Sequence, residues 1–193
     1  HAARFGMWVF LASETLLFGA LLALYTAYRN MYGDAFAAAG EHQYQIIGFA
    51  NTLILVTSSF AVAWAVHSIR RDRRRQTVIM LGIAMLLGLA FLVLKFIEYA
   101  GHFHHGIKPG TYYDFAELPG HGAQIFFTLY YFLTGLHAAH VIAGVSLLLW
   151  SAFLVQRGVV TAKRYTVLDL SGLYWHLVDL VWIFLWPLLY LLR

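Results

Sequence analysis

The 193-residue chain is 61% hydrophobic and 11% charged, with a formal net charge of +4 and no cysteine. Soluble domains carry roughly a quarter charged residues, so this composition places the chain in a lipid bilayer. The lack of cysteine excludes a disulfide framework, a thiolate metal site and a redox dithiol.

Spanning a hydrocarbon core of roughly 30 Å takes about 20 helical residues, and five apolar stretches meet that length. The first, residues 5–28, holds the segment FLASETLLFGALLAL with Glu14 deep inside it. Its length and its acid argue against a signal peptide. The segment RNMYGDAFAAAGEHQ then reads as a loop nearly free of Lys and Arg. The second stretch, 46–66, carries Thr57, Ser58 and Ser59 and runs into HSIRRDRRRQT, which holds five arginines. In the third, 78–100, Lys95 and Glu98 lie three apart near one end and are expected to form an interfacial pair.

Next comes GHFHHGIKPGTYYDFAELPGHG, whose KPG and LPG turn signals predict an ordered lid. His102, His104, His105 and His121 in this loop are read as solvated histidines rather than a metal site. The fourth stretch, 123–155, exceeds what a membrane requires and is expected to tilt. It contains His137 and His140 in LHAAH, and the loop after it contains Arg157, Lys163 and Arg164. The fifth, 167–192, contains His176 and Asp179 in WHLVD.

The apolar runs are continuous rather than alternating, and a backbone in lipid must satisfy its own hydrogen bonds. The fold class is therefore all-α, a polytopic membrane protein forming one five-transmembrane-helix bundle over residues 1–193. Basic residues gather on the cytoplasmic side of membranes. The second and fourth loops are the basic ones, so one orientation is expected: N-terminus cytoplasmic, first and third loops outside, Arg193 at an outer, periplasmic C-terminus.

At 1.5 Å rise per residue, Glu14, His137, His140, His176 and Asp179 fall within about 5 Å of the bilayer midplane. An ionisable group at that depth turns inward and pairs, so these five are expected to form one buried polar cluster. The residues leave three readings open: hydrogen-bond glue between helices, a proton path, and metal or haem ligation. The sequence contains no phosphate loop, nucleophile elbow or metalloprotease motif.

The motifs LTGLHAAHVIAG and LYWHLVDLVWIFLWPLLYL resemble the last two helices of subunit III of the haem–copper oxidases. FLASETLLFGAL resembles that family's helix with a buried Glu, ANTLILVTSSFAVAWAVHSIRR its Asn-Thr helix, and FLVLKFIEY its helix ending in Glu-Tyr. The resemblance spans nearly the whole chain and puts Glu14 on the buried glutamate, His137 and His140 on the paired histidines, and His176 and Asp179 on the WHxVD motif. It implies a non-catalytic accessory subunit of a proton-pumping terminal oxidase in the bacterial cytoplasmic membrane. On this reading the chain itself holds neither metal nor cofactor. Haem and copper sit in partner subunits, the chain packs directly against subunit I, and it retains phospholipid. Many members have seven helices, and this chain shows five, as in the five-helix forms.

On electrostatic grounds Arg70, Arg71 and Arg157 are candidate contacts for lipid headgroups. The expected role is to stabilise subunit I and sustain proton uptake during oxygen reduction, with either cytochrome c or quinol as donor. The alternatives are a subunit-III-like partner of a nitric oxide reductase and a haem-b membrane electron-transfer protein. A small proton-coupled transporter is disfavoured because no broken helix or internal repeat is visible.

Overall fold

The structure is a computed structural model that describes residues 2–191. His1, the predicted end of the fifth helix at Leu192 and the C-terminal Arg193 lie outside the described residues. Five long apolar helices are present among them: α1 (Ala2–Met31), α3 (Gln45–Arg70), α4 (Arg74–His104), α5 (His121–Gln156) and α6 (Thr166–Tyr190). Four of them outrun the predicted stretches at both ends, and α6 does so at its start. An apolar run stops at the first polar residues, whereas helical hydrogen bonding continues through the headgroup region, where Arg and His are well solvated.

One helix was not foreseen. α2 (Gly33–Glu41) occupies the segment read as a loop. Nine residues do not hold a helix by themselves, and this one is held by docking. Phe36 and Ala39 are buried, and the Phe36 ring meets Tyr25 at 5.3 Å and Phe126 at 5.4 Å, edge to face.

The long helices alternate in direction, with α5 and α6 at the centre. α5 packs on α1, α2, α4 and α6, while α3 packs on α4 and α6. α1 leans on α5 and α6 through Leu11, Phe18 and Tyr25, a single stripe at seven-residue spacing. At one end of the bundle Asp169 at the start of α6 accepts from Arg4 of α1 at 3.3 Å and Arg70 of α3 at 3.1 Å. At the other end the Gly/Pro-rich loop is fastened to α5. Gln124 donates to the Gly110 carbonyl at 2.8 Å, Thr128 accepts from the Gly110 amide at 2.9 Å, and Tyr131 donates to the Ile107 carbonyl at 2.8 Å.

Close approach at the centre depends on two glycines. The indole of Trp175 lies between α4 and α5, where a Cβ on Gly88 would stand 2.8 Å from it and one on Gly144 only 2.7 Å. A rigid bicyclic ring cannot yield that much. Gly144→Ala is therefore expected to lower bundle stability by about 1–3 kcal/mol despite the better helix propensity of alanine. Thermal unfolding in detergent tests this, and an unchanged midpoint contradicts the wedge role of Trp175.

Candidate functional site

Glu14 on α1 and His140 on α5 meet at 2.9 Å, Oε2 to Nε2. The proton count of the pair follows from the other ring nitrogen. His140 Nδ1 lies 2.8 Å from the Leu136 carbonyl, which only accepts, so Nδ1 carries a hydrogen. Nε2 then offers a lone pair when the ring is neutral, and a single proton lies between it and the carboxyl group. Either the acid is protonated and donates to a neutral imidazole, or a carboxylate accepts from an imidazolium, and in both forms the pair is neutral overall. Phe18 flanks the His140 ring edge to face at 5.2 Å, and the two polar side chains are 15% and 17% exposed. The contact thus sits at the margin of the bundle, fastening a helix that has few other attachments.

His137, three residues before His140, faces elsewhere. Its ring is enclosed by Phe91 of α4 at 5.5 Å and Trp182 of α6 at 5.2 Å, and neither nitrogen has a hydrogen-bond partner among the described residues. His176 meets Ser59 of α3 at 2.6 Å through Nδ1. Asp179 is buried on α6 with Oδ1 unpartnered. Of the five residues expected as one cluster, Glu14 meets His140, His176 and Asp179 both lie beside Ser59, and His137 stands apart among rings. A depth count gives height along a helix and says nothing of azimuth. A three-residue step turns the side chain by about 60°, enough to send His137 toward α4 and His140 toward α1.

These surroundings also do not suit axial ligation of a haem. His137 is walled in by rings and both ring nitrogens of His140 are engaged by protein, which leaves His176 without an opposed partner from α5. No three His, Cys, Asp or Glu side chains among the described residues stand close enough to hold a metal ion.

The most extensive polar assembly lies elsewhere in the bundle. Lys95 and Glu98 form the expected pair at 3.2 Å, and both are buried inside the bundle, 2% and 1% exposed. Lys95 Nζ also donates to Tyr130 of α5 at 3.0 Å and Tyr190 of α6 at 2.8 Å, and both hydroxyls donate to Glu98 Oε1 at 2.5 Å. Three ammonium hydrogens meet three acceptors, and both phenol hydrogens meet the carboxylate. The inventory closes with lysine charged and glutamate ionised, which makes the assembly a clasp across α4, α5 and α6. The signal available in the sequence was a tyrosine, Tyr130, at matching height on the neighbouring helix.

His102 departs from expectation: it is 1% exposed, inside the last turn of α4 and stacked on Tyr44 at 5.3 Å, rather than solvated in the loop. At the opposite end, Arg70 is engaged by Asp169 and lies over the Tyr165 ring at 5.0 Å, Arg157 lies over Phe153 at 4.9 Å, and Arg71 is exposed.

A sequence profile of the family described as cytochrome c oxidase subunit III matches residues 1–192. The chain is 32% identical over 190 residues to the cytochrome c oxidase subunit 3 of Thermostichus vulcanus, covering 97% of this chain and 86% of that protein. It is 31% identical over 193 residues to that of Bacillus sp. PS3, covering 97% and 84%. A quinol oxidase subunit 3 from Bacillus spizizenii is 28% identical over 187 residues, covering 97% and 85%. The family profile thus spans the chain from the helix of Glu14 to the helix of His176, and the chain belongs to the cytochrome c oxidase subunit III family.

Proposed function

We propose that the chain is the accessory, non-catalytic third subunit of a haem–copper terminal oxidase in a bacterial cytoplasmic membrane. In this reading it packs against subunit I, and haem and copper reside in its partners. The observation that carries this reading is the whole-chain family match, with relatives named for both cytochrome c and quinol oxidases. The internal chemistry supports it. Glu14 pairs with His140 between α1 and α5, and the Lys95–Glu98 pair of α4 is bound to Tyr130 of α5 and Tyr190 of α6, as expected of a scaffold that holds a neighbour in shape. Its work is to stabilise subunit I and to sustain proton uptake through repeated turnover.

The direct test is purification through a tag on this chain. Haem-bearing subunits and oxygen reduction are expected to copurify, and deletion of the chain is expected to leave the haem spectrum intact while shortening the life of the enzyme under turnover. A tagged chain that returns without haem-bearing partners refutes the reading.

The basic end of the bundle is placed on the cytoplasmic side, where Arg70, Arg71 and Arg157 face anionic headgroups. Since Asp169 already neutralises Arg70, Arg71 and Arg157 carry most of that attraction. Charge reversal at these two is expected to lower the phospholipid retained by the purified complex, measured as phosphorus per haem. Unchanged phosphorus removes these residues from the lipid contact.

A further inference from the structure

The lipid-facing side of α6 is an open groove with two walls. α1 and α3 both pack on α6, yet their backbones make no contact with each other among the described residues. Between them a partly exposed stripe of α6 runs through Leu173, His176, Leu177 and Leu180. Two hollows open along it: one of about 190 Å³ bounded by Ala63, Val66, Gly172 and His176, and one of about 180 Å³ between Gly19 of α1 and Leu180. At the inner end Asp169 ties the walls together by accepting from Arg4 and Arg70.

We propose that this groove seats a transmembrane helix of another oxidase subunit, one that presents a hydrogen-bonding side chain to His176. The inference rests on the accessory-subunit reading and adds the face and the chemistry of the contact. Three observations support it. First, His176 is half-buried in the groove with Nδ1 engaged by Ser59, and Nε2 makes no hydrogen bond among the described residues. One turn away Asp179 is enclosed beside the same Ser59, so His176 Nε2 is the polar atom of this pair left to the groove. Near the middle of a bilayer there is no water for such groups, and an acyl chain offers neither donor nor acceptor. A protein side chain supplies both.

Second, Gly172 is not required by the packing of this chain. A Cβ there would meet Val62 and Val66 at 3.4 and 3.5 Å, an ordinary contact. A helix-interior glycine costs about 1 kcal/mol relative to alanine, and what the missing side chain leaves is depth in the groove. Small residues of this kind let membrane helices approach closely. Third, α1 is attached by one narrow stripe, so a helix lying between α1 and α3 would complete its packing.

The test uses Gly172→Leu in the full chain, purified with its complex through a tag on the chain. The haem-to-chain ratio after a detergent wash is expected to fall about tenfold, equivalent to about 1.4 kcal/mol of association, while the unfolding temperature of the chain does not fall. Gly82→Leu on α4, where a Cβ meets nothing within 4 Å, is expected to keep the wild-type ratio. Because the chain has no cysteine of its own, Ala63→Cys reports directly on cover. Its labelling by a membrane-permeant maleimide should be slower in the complex than in a strain lacking the haem-bearing subunits. Leu89→Cys, on exposed α4, should label alike in both. A wild-type ratio for Gly172→Leu together with equal labelling of Ala63→Cys in the two strains overturns the proposal and leaves the groove to lipid. Loss of haem partners from the wild-type chain itself instead defeats the accessory-subunit reading.

Discussion

Glu98→Ala is expected to cost the bundle about 3–5 kcal/mol, the penalty of leaving one member of a buried ion pair uncompensated. Lys95 is 2% exposed, so removal of the carboxylate strands its charge among Tyr130, Tyr190 and the Trp182 ring, 5.3 Å away. The two phenol hydroxyls lose their acceptor in the same step. Deleting the charges together is a different matter. Lys95→Met with Glu98→Leu removes both desolvation costs, and Tyr130 and Tyr190, 3.4 Å apart, are placed to bond each other. One hydroxyl hydrogen then stays unmatched, at about 1–3 kcal/mol, so the double variant is expected to regain much of the loss without reaching wild type. Such non-additivity marks residues that act as one unit. Equilibrium unfolding in mixed detergent, followed by tryptophan emission, reads both variants. A Glu98→Ala protein that unfolds with wild type would show that the clasp carries no stability.

The spans and their order were legible in the sequence because a bilayer imposes a length, and length survives in any apolar run. Heights were legible too: Glu14 and His140, 126 residues apart, were assigned to one level and stand 2.9 Å apart. Azimuth was not legible. His137 and His140 share a motif and a helix, yet one is enclosed by Phe91 and Trp182 while the other reaches α1. Which way a helix is rotated depends on neighbours whose positions a single sequence does not give. The same gap hid the burial of the Lys95–Glu98 pair, which depends on tyrosines from α5 and α6. α2 was missed because its short helix is stabilised by Phe36 docking on Tyr25 and Phe126 rather than by a periodic run of its own. His102 was read from its position in a His-rich segment, whereas its burial comes from Tyr44 just before α3 and from Phe127, Tyr130 and Tyr131 of α5.

Glu14 offers the sharpest contrast between a structural and a proton-carrying role. Since His140 Nδ1 is committed to the Leu136 carbonyl, the contact with α1 requires a donor facing a neutral Nε2, or an acceptor facing a charged one. Glu14→Gln keeps the shape and supplies an amide N–H to the neutral ring, so it is expected to leave assembly, haem spectrum and endurance under turnover close to wild type. Glu14→Ala supplies nothing. It leaves an imidazole nitrogen unmatched at the bundle margin, at about 1–3 kcal/mol, and releases a helix otherwise attached by Leu11, Phe18 and Tyr25. In the equilibrium between attached and detached α1 that energy is a shift of about 5- to 150-fold. The Ala enzyme is therefore expected to start at the wild-type rate and to lose activity or the subunit sooner during sustained oxygen reduction, with its haem spectrum unchanged. Initial rate, decay time and subunit content measured on one preparation separate these effects. If Glu14→Gln abolishes proton uptake while the complex stays assembled, the shared proton itself is what the site handles, and the glutamate is a carrier rather than a fastening. If either variant loses a haem, the chain takes a direct part in cofactor binding and the accessory reading fails.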